Sequence, residues 1–199
     1  MVLLAISPAW SGPAEDRELI GQLDREVIAL HQKLDRMQTL LASCATSIDP
    51  TPLYGELVSV LQGQPATVRR LETGAAVTVP MDTLFSPDST GLREEAGPVL
   101  DLLSTAFRVH PELRVTVEAY ADNGTIPSPL RKLWPTAWEL TAARAAAVTR
   151  VLVDRFSIPA SQLVAAAHGD QDPVSTNDTP EGRQLNRRLV FTLQPRATP

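Results

Sequence analysis

Two charged residues in the middle of the chain are suited to binding an amino acid by both of its ends. Asp122 comes just after the apolar alternation of residues 113–119, at a strand end where binding groups often lie. Arg144 lies one turn into a strongly helical segment, among small and apolar neighbours. A guanidinium binds a carboxylate and a carboxylate binds an ammonium, so the pair can hold a zwitterion. The alternative is a structural salt bridge between the two residues, and their spacing does not decide between these interpretations.

Three arginines form a second charged group near the C-terminus. Arg183, Arg187 and Arg188 lie in residues 177–191, which begin as a capped helix and end as an apolar alternation typical of a strand. A short helix that places arginines at the mouth of a sheet suits an anionic group. A solvated basic helix beside an edge strand is the alternative.

The histidines give little support for catalysis. His168, near Asp170 and Asp172, is the best candidate for acid–base or metal chemistry. No nucleophile elbow or phosphate loop accompanies it. We therefore predict that the protein is not an enzyme and uses no metal or cofactor.

Composition narrows the class of protein. The chain has 199 residues, 43% of them hydrophobic, with a formal net charge of −5 and a single cysteine. This length suits one ordinary domain plus an appendage. The negative charge, with no basic face, argues against nucleic acid as a partner. One cysteine excludes an internal disulfide framework.

The N-terminal part predicts a coiled coil. Residues 1–14 are either disordered or the remnant of an export or anchor segment, and residues 15–45 form one helix. Apolar residues recur at alternating spacings of three and four, which is a heptad seam and favours a parallel homodimer through residues 20–41. The alternative is an amphipathic helix docked on its own domain. The seam consists of Ile20, Leu23, Val27, Leu30, Leu34, Met37 and Leu41.

The remainder predicts an α+β domain over residues 67–194, after a linker and short helix at 46–66 and before a tail at 195–199. A hairpin is followed by alternating helices and strands, then a short helix and a last strand. This order implies helices on one face of a mixed sheet. The predicted segments are strands at 68–71, 75–79, 113–119 and 163–167, helices at 92–109 and 137–156, and a loop at 121–136.

Four blocks in this region resemble the OmpA-like (OmpA/MotB C-terminal) peptidoglycan-binding domain family, of the MotB type. The segment from Val77 to Thr90, which contains Leu84-Phe85-Ser86 and is followed by a helix, resembles the family's first strand and loop. The strand ending at Asp122 resembles one that ends in Gly-His-Thr-Asp, and Glu-Leu-Thr-Ala-Ala-Arg-Ala resembles the helix Leu-Ser-x-x-Arg-Ala. The most specific block runs from His168 through Asn-Asp-Thr-Pro-Glu-Gly-Arg to Asn-Arg-Arg188.

The resemblance implies a two-layer βαβαβ-type fold and non-covalent binding of the peptidoglycan stem peptide. Asp122 and Arg144 are then expected to grip a diaminopimelate side-chain zwitterion. Leu140 is expected to line the pocket, Thr141 to take the family's serine position, and Arg187 to lie at the rim. The protein is expected in the periplasm or cell envelope of a Gram-negative-type bacterium, as a dimeric anchor in a MotB-like or other envelope complex.

Four positions depart from the family pattern. Ala119, Tyr120 and Ala121 replace Gly-His-Thr before the aspartate, and Ala137 replaces an asparagine before the helix. Each lost hydrogen bond costs about 1 kcal/mol. We expect a site that is weaker or altered in preference. The alternative is a degenerate domain that serves as a dimerisation or docking scaffold without binding peptidoglycan.

Overall fold

The computed structural model describes residue 22, residues 26–37 and residues 50–196 of a chain that divides into two units at Ser47 and Ile48. In the first unit, residues 26–37 are helical (α1). The seam residues within α1 are each at least 49% exposed. They are Val27, Leu30, Leu34 and Met37. The other seam positions and residues 1–14 lie outside the described residues, and the coiled coil stays a prediction.

The second unit contains one five-stranded sheet, in the order β1-β2-β5-β3-β4. The β3–β4 pair is parallel and the other pairs are antiparallel. This confirms the predicted α+β class with a mixed sheet. The elements are α2 (Pro50–Val60), β1 (Thr67–Leu71), β2 (Gly74–Pro80), α3 (Met81–Leu84), α4 (Ala96–Val109), β3 (Leu113–Tyr120), α5 (Ser128–Arg131), α6 (Ala137–Asp154), a 3-10 turn (Ala160–Gln162), β4 (Leu163–Gly169), α7 (Pro180–Asn186) and β5 (Arg188–Pro195).

The core lies between one face of this sheet and the helices α2, α4 and α6. In β3, alternate residues from Leu113 to Ala119 are buried, as the period of a strand requires, while the residues between them are partly or fully exposed on the opposite face. Phe107 of α4 packs against Phe191 of β5, with ring centroids 5.9 Å apart. Burying a side chain of this size contributes about 1.5–3 kcal/mol.

Two elements differ from the sequence prediction. Helix α4 begins at Ala96 rather than at residue 92, because Leu92 forms a β-bridge with Phe85. Pro98 therefore falls in the first helical turn, where its missing N–H costs no hydrogen bond. The apolar residues 163–167 predict a core strand, but β4 lies at the sheet edge, and most of its side chains are partly or fully exposed.

Helix α2, which the sequence predicts as a short helix beside the linker, packs into the core through Leu53 and Leu57. A polar contact fixes it at the end of α4. His110 Nε2 lies 2.8 Å from Glu56 Oε2 of α2, and His110 Nδ1 lies 3.2 Å from Glu112 Oε1. Burial alone lowers the pKa of His110, but the hydrogen bonds to the two glutamates outweigh it, and the pKa is raised.

Replacing His110 by glutamine should remove a pH-dependent part of the stability. The pKa of His110 is higher in the folded state than in the unfolded state, where it is about 6.5. Protonated His110 therefore stabilises the fold, and this contribution is complete at pH values below about 6.5. The contribution is lost as the pH rises through the folded pKa. We expect the free energy of unfolding lost in His110→Gln to be larger at about pH 5.5 than at about pH 8.5. Chemical denaturation of both proteins at the two pH values measures this difference.

His31→Gln is the matched control, because His31 is exposed on α1. It should follow the wild type at both pH values. A loss of stability in His110→Gln that is the same at both pH values would show that packing, not charge, is what the histidine supplies.

Candidate ligand-binding pocket

A cavity of about 240 Å³ opens at the edge of the sheet where β3 ends. Its walls come from α3 and the residues that follow it, the loop after β3, the first turns of α6, and Arg187 between α7 and β5. Four of the five sequence-predicted residues line it together, and they are Asp122, Leu140, Arg144 and Arg187. The distant parts of the chain that carry them therefore meet at one place.

The register of the sheet explains this convergence. Arg188 of β5 pairs with Pro80 of β2 on one side and with Tyr120 of β3 on the other. The strands β2 and β3 therefore end in the row where β5 begins. Residues just beyond those ends are brought to the same edge, which places Asp82 and Asp122 beside Arg187.

One face of helix α6 forms a wall of the cavity, because the residues that line it are spaced three and four positions apart. Glu139 Oε2 accepts a hydrogen bond from the Thr136 N–H at 2.7 Å, which satisfies one free donor and fixes where the helix starts. Ala137, Leu140 and Arg144 follow at spacings of three and four, so they share one face of α6. That face forms the helical wall of the cavity.

Arg144 is held rigidly and is only 6% exposed. Its Nε and Nη2 donate to the carbonyl of Ser89 at 3.4 and 3.2 Å, and Nη2 also donates to the carbonyl of Pro87 at 3.3 Å. The guanidinium carbon lies 5.4 Å from the centre of the Phe85 ring. Burial lowers the pKa of Arg144, although an arginine keeps its charge at neutral pH. Nη1 donates to none of the described residues and can bind a ligand carboxylate.

Asp122 is also oriented by the protein. Its Oδ1 accepts the Gly124 N–H at 3.0 Å, and its Oδ2 accepts Arg187 Nη1 at 2.5 Å. The other nitrogen of Arg187, Nη2, lies 3.3 Å from Asp82 Oδ2. Burial lowers the pKa of Arg187, but the hydrogen bonds to Asp122 and Asp82 outweigh it, so the pKa is raised. Arg187 thus bridges two carboxylates.

Asp82 is the charged residue of the cavity lining that sequence reasoning missed. Its only signal was an acidic residue shortly after a strand end, the same signal that singled out Asp122. The pairing of β2 with β5 determines that the two ends meet, and no local pattern in the sequence encodes it.

Thr141 does not line the cavity. Its hydroxyl donates to the carbonyls of Ala137 and Trp138 at 2.8 and 3.1 Å and accepts the buried Gly169 N–H at 3.2 Å. Thr141 therefore joins α6 to the end of β4 and takes no place among the residues available to a ligand.

The four departures from the family pattern separate into two pairs. Ala121 and Ala137 line the cavity and make its wall less polar. Ala119 is buried in the core. Tyr120 points to the opposite face of the sheet, where its ring stacks on His168 with centroids 4.3 Å apart. The guanidinium carbon of Arg188 lies 3.8 Å from the Tyr120 ring centre. Of the four departures, only Ala121 and Ala137 change the surface of the cavity.

The part of the chain that forms most of the cavity matches a known protein family. The model of the OmpA family matches residues 84–187. The chain belongs to the OmpA family. This confirms the resemblance found in the sequence, because the matched range includes both Asp122 and Arg144.

Three known proteins illustrate the similarity. Motility protein B of Bacillus subtilis is 25% identical over 62% of this chain, which spans 46% of that protein. The peptidoglycan-associated lipoprotein of Agrobacterium fabrum is 29% identical over 77% of this chain and 81% of its own. The cell wall anchor of the type VI secretion system from Pseudomonas aeruginosa, whose structure is solved, is 30% identical to this chain in sequence. It has a TM-score of 0.65 and matches 74% of this chain and 100% of that chain.

Replacing Thr141 by valine should destabilise the domain without altering the cavity. Valine keeps the shape but removes the hydroxyl, which leaves the buried Gly169 N–H without an acceptor at a cost of about 1–3 kcal/mol. Thr141→Ser retains the hydroxyl and is the matched control. Chemical denaturation compares the free energies of unfolding. A valine variant as stable as the serine variant would show that the hydroxyl bonds contribute nothing.

Proposed function

We propose that the domain binds peptidoglycan non-covalently through a stem-peptide group that carries both an ammonium and a carboxylate, as diaminopimelate does. The observation that carries this proposal is the placement of Asp122 and Arg144 in one cavity. One offers a carboxylate and the other a guanidinium nitrogen without a protein acceptor among the described residues. The names of two similar proteins, a peptidoglycan-associated lipoprotein and a cell wall anchor, support it.

The chemistry of binding follows from the fixed geometry. Arg144 Nη1 donates to the ligand carboxylate, and because Ser89 and Pro87 already hold the guanidinium, little side-chain entropy is lost on binding. Asp122 accepts hydrogen bonds from the ligand ammonium. Leu140 and Phe85, which also line the cavity, contact the aliphatic part of the ligand. Charged hydrogen bonds of this kind are about twice as strong as neutral ones.

The protein that contains this domain is proposed to act in the periplasm or cell envelope, as an anchor within an envelope complex. No helix in residues 26–37 or 50–196 is long and apolar enough to cross a membrane. A scaffold that no longer binds peptidoglycan is the second candidate function. The observation that favours it is the alanine at positions 121 and 137, both of which face the cavity.

Changing the two clamp residues should abolish retention on cell wall. We expect the wild-type protein to sediment with insoluble diaminopimelate-type peptidoglycan. Asp122→Asn and Arg144→Gln should each bind at least about tenfold more weakly, because each removes a charged partner of the ligand. Quantifying pellet and supernatant over a range of peptidoglycan concentrations measures this.

Asp101→Asn is the matched control, since Asp101 is exposed on α4 and lies outside the cavity. Because Arg144 also holds the loop at Pro87 and Ser89, thermal unfolding must show that Arg144→Gln is folded at the assay temperature. Wild-type protein that stays in the supernatant would support the scaffold. Variants that sediment as well as the wild type would place binding elsewhere.

We further propose that the protein is a homodimer through residues 20–41. The support is the exposure of four seam residues on α1, which a second copy would bury. A dimer presents two pockets to one cell wall, so both binding events reinforce each other.

Placing a charge in the seam should separate the dimer. Leu34→Asp puts a carboxylate in the seam, where pairing of two helices would desolvate it without a partner. Sedimentation of the full chain should give the dimer mass for wild type and the monomer mass for this variant. Gln32→Asp introduces the same residue off the seam and should stay dimeric. A wild-type monomer, or a dimer that survives Leu34→Asp, would contradict the proposal.

A further inference from the structure

Four charged side chains line the cavity, and their formal charges cancel. Asp82 and Asp122 supply two negative charges, and Arg144 and Arg187 supply two positive ones. Arg187 lies between the two carboxylates, with Nη1 on Asp122 and Nη2 on Asp82. A neutral cavity suits a ligand that is itself neutral overall but carries separated charges.

We propose that Asp82 determines specificity by holding Arg187, so that the charge of Asp122 remains available for a ligand ammonium. The inference rests on the proposed function and names the group that the same pocket selects. The pocket then prefers a zwitterion with a free amine over the same molecule with that amine acylated.

The balance of charges in the cavity explains this preference. Without Asp82, the carboxylate of Asp122 faces both Arg187 and Arg144, and the cavity carries a net positive charge. An approaching ammonium is then repelled, whereas a ligand that offers only a carboxylate is not. With Asp82 present, Arg187 is neutralised from its far side. The two contacts use different nitrogens, so Arg187 can stay on Asp82 while the ammonium shares Asp122.

The exposure of the two carboxylates agrees with this division of roles. The side chain of Asp122 is 14% exposed, whereas that of Asp82 is 40% exposed. The more buried carboxylate is less screened by water and interacts more strongly with a bound charge. Asp82 acts through Arg187 from the solvent side, which makes it a positioning residue whose loss should leave the fold intact.

The test measures a preference rather than a single affinity. Calorimetry would compare two soluble stem-peptide fragments, one with the free side-chain amine of diaminopimelate and one with that amine acetylated. We expect wild type to prefer the free amine by at least about tenfold, and Asp82→Asn to reduce this to about threefold or less. The bulk of the acetyl group cancels when the two ratios are compared. Asp82→Glu should restore the preference, and Asp101→Asn should keep it.

The outcomes separate this inference from the function on which it rests. Wild type that binds neither fragment overturns both. Wild type that prefers the free amine, with an equal preference in Asp82→Asn, overturns the role of Asp82 alone. Uniform weakening of both fragments in Asp82→Asn, with the ratio unchanged, also overturns it, because that is the signature of a purely structural change.

Discussion

The antiparallel pairing of β5 with both β2 and β3 is the constraint on which the pocket depends. It aligns Pro80, Arg188 and Tyr120 in one row across three strands. The Met81 N–H donates to the Arg187 carbonyl at 2.9 Å, which closes the same edge. A shift of the β5 register by one residue would turn every side chain of β5 to the other face of the sheet. The core and the charge pattern of the pocket are therefore fixed by the same register.

The contacts of the segment before β5 place Arg187 at that edge. Asn186 is fully buried and accepts the Val174 and Ser175 N–H groups at 2.8 and 2.9 Å. Gly182 is required because a Cβ there would lie 2.0 Å from the Thr176 carbonyl oxygen. The most recognisable motif in the sequence thus works mainly through backbone contacts, and Arg187 is the part of it that reaches the pocket.

Sequence patterns predicted what local periodicity encodes. The alternation in β3 located Asp122 just beyond a strand end, and the amphipathic spacing of α6 located Arg144 two turns into a helix. Asp82 escaped because its partner is 105 positions away in the chain. The start of α4 was misplaced for a similar reason, since the bridge between Leu92 and Phe85 competes with a helix that local propensity favours. Pairing between segments decides such cases, and it is invisible in a window of a few residues.

The alanines in the cavity wall change which forces select the ligand. Tyr120 points to the face of the sheet opposite the core, where it contacts His168 and Arg188, so Ala121 and Ala137 are the departures from the family pattern that line the cavity. They remove neutral hydrogen-bonding groups, each contributing about 1 kcal/mol. The charged groups remain, and a buried arginine with fixed orientation loses little by binding. Under the proposed binding mode, recognition therefore depends more on the balance of four charges than on the polar groups that the family pattern places around the pocket.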